Sequence, residues 1–283
     1  MSPIFLDDTV KFPCNGSFTS SSSNADNHTP SIEEYAHACS RATDEAKMDW
    51  AIAGMTTNAS VKTGFFGKLR STLWTQEFHT WEDPDGAMLK YKDLLESLED
   101  IFSGENSFRH ATQWDDTFAG ASLVAKLSEK SNLIYWKFNA PPLAGRDMLF
   151  LVHRKKEVND APDYNSKDNN WEVRVTYAYA SVNDEWAKKH GFVNLHGSKR
   201  VRALNCFPSC DRIRVRNDTI NNTKKIISID HLMTTDVGGW VRPFCFNNLF
   251  KRSLIQANMH ECEKMRNYIL SLSSGKNKSA GYV

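Results

Sequence analysis

The side chains that could do chemistry are scattered along this chain rather than gathered into a motif. Nine histidines stand singly, among them His79, His153, His196 and His231. Each reads first as a surface or hydrogen-bonded structural histidine. A catalytic role would require His153 or His231 to point into an enclosed space. Asp115 and Asp116 are paired carboxylates, but neighbours on a helix point in different directions and do not share a task. Lys188-Lys189-His190 is a short basic run whose ordinary fate is a solvated surface. The sequence holds no P-loop, no GxGxxG and no GxSxG. Its six cysteines, Cys14, Cys39, Cys206, Cys210, Cys245 and Cys262, form no CxxC pair and no zinc spacing. Neither a metal nor a cofactor is expected from these residues, and packed, reduced thiols are.

Aromatic residues recur with more order. Over 171–182 one strand face carries Val173, Val175, Tyr177 and Tyr179, and over 132–139 one face carries Ile134, Trp136 and Phe138. Side chains that are greasy in body and polar at the tip suit an amphiphilic ligand. A tryptophan–tyrosine cage can also hold a quaternary ammonium by cation–π attraction. An ordinary aromatic core would show the same alternation.

The elements that must position these residues follow from periodicity and punctuation. Residues 1–28 include a Ser-rich, low-complexity run too polar to pack and are expected to be a disordered arm. A helix is predicted from a Thr29 cap and Pro30 to about Trp50. Strands are expected over 60–66 and 69–81, then an amphipathic helix over 87–102 and a short segment holding Trp114-Asp115. Strands follow over 121–127, 132–139, 147–156, 171–182, 200–206, 213–216 and 225–234. Polar insertions over 158–170 and 183–198 should sit on the rim. Gly238-Gly239 break the last strand, because glycine accepts backbone angles other residues resist. From Phe244 to Leu272 there is no Gly or Pro, enough for a helix of roughly 40 Å. Ile255, Met259, Cys262 and Ile269 share one side of it, while Phe246, Leu249, Phe250 and Ala257 share another. That width implies contact on more than one side. Residues 274–283 are expected to be a flexible tail. The fold class is α+β: a curved, mainly antiparallel sheet with a long C-terminal helix laid across it, able to enclose a ligand-sized space.

Composition narrows the function. Lys+Arg 35 against Asp+Glu 34 gives a net charge of +1 over 283 residues. That balance offers no electrostatic footprint for nucleic acid. No run approaches the roughly 20 apolar residues of a membrane span. The first residues lack the basic and apolar regions of a signal peptide, so a cytoplasmic protein is expected.

Ile134 to Phe150, with its Pro141-Pro142 and Arg146-Asp147, resembles the central motif of START (steroidogenic acute regulatory protein-related lipid transfer) domains. Gln113-Trp114-Asp115, Lys199-Arg200-Val201-Arg202-Ala203 and Asp236-Val-Gly-Gly-Trp-Val-Arg-Pro243 match in the same order. The resemblance spans about residues 30–273, and the START-like domain is set at 29–273. It implies a helix-grip fold holding one lipid in an internal hydrophobic cavity. The Tyr135-Trp136 pair is similar to the phosphatidylcholine-transfer type, in which the Trp belongs to a choline cage. An Arg ahead of the Trp-Asp motif there meets the phosphate, and Arg109 is the nearest match. Arg146-Asp147 is expected to shape its loop rather than touch lipid.

The expected function is to hold one phospholipid or sterol-like lipid and to transfer or sense it between membranes, without covalent chemistry. The lipid-binding candidates are Arg109, Ile134, Trp136, Phe138, Met148, Phe150, Val175, Tyr177, Tyr179, Ile255 and Met259. The partners are the lipid and, transiently, a membrane surface; no nucleic acid is expected, and the chain should act as a monomer. Release should need an opening between the 140–145 loop and the C-terminal helix. The alternatives are a cyclase-like enzyme or enzyme accessory on the same fold, and a ligand-gated protein-interaction module.

Overall fold

The computed structural model describes residues 31–66, 69–79, 98–102, 106–141, 143–159, 172–182, 184–192, 199–217, 225–238 and 248–273. Helix α1 (Ile32–Asp49) leads into strands β1 (Ala51–Met55), β2 (Ala59–Phe66) and β3 (Leu69–His79). A helical stretch at 98–102 and α2 (Asn106–Trp114) precede β4 (Phe118–Lys126), β5 (Ser131–Ala140), β6 (Leu143–Asn159) and β7 (Glu172–Ser181). Then come α3 (Asp184–Lys189), β8 (Val201–Arg202), β9 (Leu204–Asn217), β10 (Lys225–Asp236) and α4 (Asn248–Ser273). The strand order is β1-β2-β3-β10-β9-β7-β6-β5-β4, antiparallel at every step, with β8 added to β6 in parallel. The expected arm, the N-terminal part of the 87–102 helix, the 160–170 portion of the polar loop, residues 239–247 and the tail lie outside the described residues.

Alternation along the strands gives this curved sheet two different faces. Val61, Trp74, Ile134, Met148, Phe150, Val152, Val173, Val175, Ile213, Val215, Ile227 and Ile229 form one core together with Cys262, Met265 and Ile269 of α4. Leu73, Leu133, Leu149, Leu151, Ala178, Ala180, Cys210 and Leu232 form the other, against α1 and Trp186 and Ala187 of α3. The α1 stripe of Ala36, Cys39, Ala42 and Ala46 is small, which lets the helix backbone lie close to the strands.

A buried charge cluster fixes α1 in place. Asp230, fully buried, accepts from Arg212 Nε at 3.1 Å and Nη2 at 2.9 Å. Lys47 Nζ stands 2.6 Å from its other oxygen. Arg212 also reaches Asp44 at 2.8 Å and the Ser40 carbonyl at 3.0 Å, both on α1. Burial alone would raise the Asp230 pKa, but Lys47, Arg212 and Arg214 together hold it below the ordinary carboxylate range. Lys47 is shifted downward, because burial and the neighbouring arginines outweigh Asp230. Arg212, whose charge is reinforced, is therefore the firmer anchor.

Several elements depart from expectation. The α1 cap is Ser31, not Thr29: Ser31 and Glu34 close a reciprocal capping box. No element is predicted over 51–55, yet β1 forms there and pairs with β2 across Ala51↔Thr63. The runs at 200–206 and 213–216 do not stand as two strands, because residues 204–217 form the single strand β9. Pro208 sits where the β9–β10 register shifts, Leu232 facing Cys210 and Thr234 facing Cys206. A proline is tolerated at such an irregularity because no ladder donor is needed there. Ser209 Oγ closes the gap, donating to the Cys206 carbonyl at 2.7 Å and accepting from Thr234 N at 3.0 Å. The 183–198 segment is not only a rim insertion, since Trp186 and Ala187 of α3 are buried. The 140–145 loop is shorter than expected, with Ala140 already paired to Leu143.

The charge cluster generates a stability prediction. Arg212→Met leaves Asp230 buried and should cost about 3–5 kcal/mol in chemical denaturation. Because the folded pKa of Asp230 is depressed, its contribution is present in full above the ordinary aspartate pKa. It is lost as pH falls through the folded value, so the acid unfolding of wild type should steepen there and that of Asp230→Asn should not.

Candidate functional site

The α4-facing side of the sheet brings the aromatic strand faces together. Ile134, Met148, Phe150, Val175 and Tyr177 are buried in one cluster, and Trp136, Phe138, Tyr179 and Met259 pack against it. Nine of the eleven expected wall and head-group residues thus meet on one face. Ile255 is half-buried at the helix's other contact: a Cβ built on Gly54 of β1 would come within 3.3 Å of both Ile255 and Met259. Arg109 is exposed on α2, away from this core. Its neighbour His110 is half-buried, with Nδ1 2.7 Å from Tyr268 Oη on α4 and Nε2 3.3 Å from Asp100.

Helix α4 runs over β1, β2 and β3 and against α2. Its buried stripe is Cys262, Met265 and Ile269, while Ala257 is exposed. The other half of the face, on β4–β7, is roofed from α2 and its flanks. Phe108 and Phe118 meet Trp136 edge-on at 6.0 and 4.6 Å between ring centroids. Phe102 and Tyr268 close on Trp114 at 6.4 and 5.6 Å. Trp136 is therefore already boxed by rings. Tyr135 belongs to the opposite core, because successive strand residues face opposite ways, so the Tyr135-Trp136 pair cannot form one cage.

The three remaining motifs converge on the start of β6. Arg146, 2% exposed, donates from Nε to the Val237 carbonyl at 2.8 Å and from Nη1 to the Ala144 carbonyl. Asp147 accepts from Tyr135 Oη at 2.7 Å and faces Arg202 at 3.6 Å. Gly238 has φ 66°, and a Cβ there would fall 2.3 Å from the Arg202 carbonyl, so only glycine fits. Arg200 ties the hairpin end, donating to the Phe138 carbonyl at 2.7 Å and to Asn139 Oδ1 at 3.2 Å.

A connected row of polar side chains interrupts the apolar face on β7, β9 and β10. Tyr179 Oη donates to Asp211 Oδ2 at 2.5 Å, and Asp211 Oδ1 accepts from His231 Nδ1. The His231 ring stacks on Trp74 at 4.7 Å. Burial would lower the His231 pKa, but Asp211 overrides it and raises it. Glu261 on α4 is pushed up to about 7, by burial first and then by Asp115. His231 thus faces the interior. His153 does not: it is buried towards α1, between Ser131 Oγ at 2.8 Å and Glu33 at 3.4 Å. Sequence reasoning missed Asp211, Gln76 and Glu261. Asp211 and His231 continue the alternations of Ile213-Val215 and Ile227-Ile229, so a polar residue at an apolar phase was the available signal.

No protein-family model and no curated protein matches the sequence. Solved structures do. The crystal structure of human STARD10 is similar over 89% of this chain and 84% of its own, at 15% identity and a TM-score of 0.54. Human StAR-related lipid transfer protein 5 is similar over 85% and 97%, at 13% identity and a TM-score of 0.52. The fold is accordingly the START-like helix grip: a large curved antiparallel sheet closed by a C-terminal helix.

Arg146 acts here through backbone carbonyls. Arg146→Ala should cost about 3 kcal/mol, since it removes two charge-assisted hydrogen bonds and leaves their acceptors unpaired. Guanidinium melts of the variant beside wild type measure it; an unchanged midpoint would mean the Val237 contact does not hold the β10 end to β6.

Proposed function

We propose that the chain binds one lipid, a phospholipid or a sterol-like molecule, between the sheet and α4, and transfers or senses it at membrane surfaces as a cytoplasmic monomer. The observation that carries this reading is the meeting of the aromatic faces of β5, β6 and β7 on the same side of the sheet as α4, roofed from α2 and its flanks. Apolar burial there supplies roughly 25 cal/mol per Å² of driving force for a hydrocarbon ligand. The similarity to human StAR-related lipid transfer protein 5 supports the same reading.

A membrane surface is the partner that the exposed apolar side chains suit. Met48, Ile52, Met55 and Phe65 are exposed on the last turn of α1 and on β1–β2, the outer end of the sheet. Beside Gly54 this edge touches α4. No helix among the described residues is long and apolar enough to cross a membrane, so contact of this kind is peripheral.

A second reading, a cyclase-like enzyme or enzyme accessory on the same fold, is favoured by the inward-facing His231–Asp211 pair. It requires a bound ligand to be altered; recovery of unchanged lipid after prolonged incubation counts against it.

Met55→Asp tests the carrier reading. Met55 is 71% exposed, so the variant should melt as wild type does. Lipid transfer between vesicles, followed by fluorescence dequenching, should slow several-fold because a carboxylate at the contact must be desolvated. Unchanged transfer would remove this edge from the membrane contact, and absent transfer in wild type would remove the carrier function.

A further inference from the structure

The polar break in the α4-facing side of the sheet has an unfilled hydrogen-bonding pattern. Gln76 is fully buried. Its amide nitrogen donates to the Cys262 carbonyl at 2.7 Å. A carbonyl can only accept, so this bond fixes the amide orientation and leaves Oε1 as the atom to be paired. Among the described residues Oε1 has no partner. A buried unpaired acceptor is costly, and its persistence points to a partner supplied from outside the chain.

A complementary donor lies beside it. Asp211 Oδ1 holds His231 Nδ1, which leaves Nε2 as the free ring nitrogen. With Nδ1 turned to Asp211, the charged ring presents its second proton at Nε2, and Asp211 and Glu261 both favour that form. His231 pairs with Trp74 and Ile229 with Gln76. Gln76 is thus the diagonal neighbour of His231 on the same face, about 7–8 Å away, a span that one small group can bridge.

The charge around this place selects that group. Asp211 lies on β9, Glu261 on α4, and Asp115 and Asp116 bear on Glu261. Of the cations that the sheet turns to this face and buries at least in part among the described residues, Arg146 is engaged by backbone carbonyls and Arg154 by Glu99 at 2.6 Å. Only His231 remains, and it is balanced by Asp211. From the sheet a phosphate would meet carboxylates and no free guanidinium; the half-buried Arg266 lies on α4, one turn beyond Cys262. A hydroxyl needs one donor and one acceptor, and both are in place.

We propose that Gln76 Oε1 and His231 Nε2, with His231 oriented by Asp211 and Tyr179 and stacked on Trp74, form an interior site for the hydroxyl of an uncharged lipid alcohol. The site rests on the lipid-binding reading above and narrows it: the alcohol donates to Gln76 and accepts from His231 while its hydrocarbon lies along the aromatic wall. Both a sterol and a diacylglycerol present that chemistry.

Delipidated wild-type protein is incubated with phosphatidylcholine vesicles carrying cholesterol, cholesterol methyl ether or dioleoylglycerol, and the lipid on the re-isolated protein is quantified. The ether can accept from His231 but cannot donate to Gln76. Wild type should load an alcohol over phosphatidylcholine, and which alcohol loads identifies its source. If it is cholesterol, the methyl ether should load roughly tenfold to a hundredfold less; if it is dioleoylglycerol, its methyl ether gives the same comparison. Gln76→Met and His231→Phe should abolish the discrimination while melting cooperatively. Equal loading of alcohol and ether by wild type, which needs no variant to fold, would overturn the proposal and leave water as the partner of Gln76. Loading of phosphatidylcholine alone would also overturn it and leave the carrier reading standing. Loading of no lipid would overturn both.

Discussion

The buried pair of Arg212 and Asp230 is the constraint on which the two-faced sheet depends. A strand presents alternate residues to opposite sides, so a sheet of this size must cover both sides or expose one to water. On the α1 side, close packing of small residues could let the helix slide along the strands. Arg212 prevents this by reaching Asp230 on β10 and both Asp44 and the Ser40 carbonyl on α1. A salt bridge so buried contributes little net stability against an apolar replacement, but it fixes position, because each broken partner leaves a charge in a dry place. With one face sealed and registered in this way, the aromatic strand faces gather on the other, together with Cys262, Met265 and Ile269 of α4.

On that face, hydrocarbon and hydrogen bonding are separate features. The rings of Trp136, Phe150 and Tyr179 offer area, which attracts any apolar chain and distinguishes poorly between them. Discrimination needs groups that lose something when the wrong ligand enters. Asp211 is held from both sides by Tyr179 and His231, and His231 is pinned against Trp74. That row is rigid because its members orient one another, and it stands in otherwise apolar surroundings where polar contacts count for more than in water.

Much of the architecture was legible before any coordinates. Period-two alternation over 171–182 and 132–139 placed Val175, Tyr177, Tyr179, Ile134, Trp136 and Phe138 on one side, and those strands lie where expected. The START-like motifs supplied the helix-grip order, and the contacts of Arg146 with Val237 and of Gly238 with Arg202 explain their spacing. What was not legible depended on partners distant in sequence. Gln76 looks like any polar strand residue until the Cys262 carbonyl, 186 residues on, takes its amide. The continuity of β9 was hidden because Pro208 is a strand breaker except at a register shift, and the shift is set by β10. Arg109 was chosen as the nearest arginine ahead of Trp114-Asp115, yet five residues along a helix turn a side chain roughly 140° away, and it is exposed while Trp114 is buried.

The proposed reading is that one lipid per chain lies against the aromatic strand face. Native mass spectrometry of the intact protein after exposure to mixed-lipid membranes tests it most directly. The account predicts a single added mass matching one lipid, released when the protein unfolds and recoverable by solvent extraction. A chain that keeps only its bare mass after such exposure would contradict it.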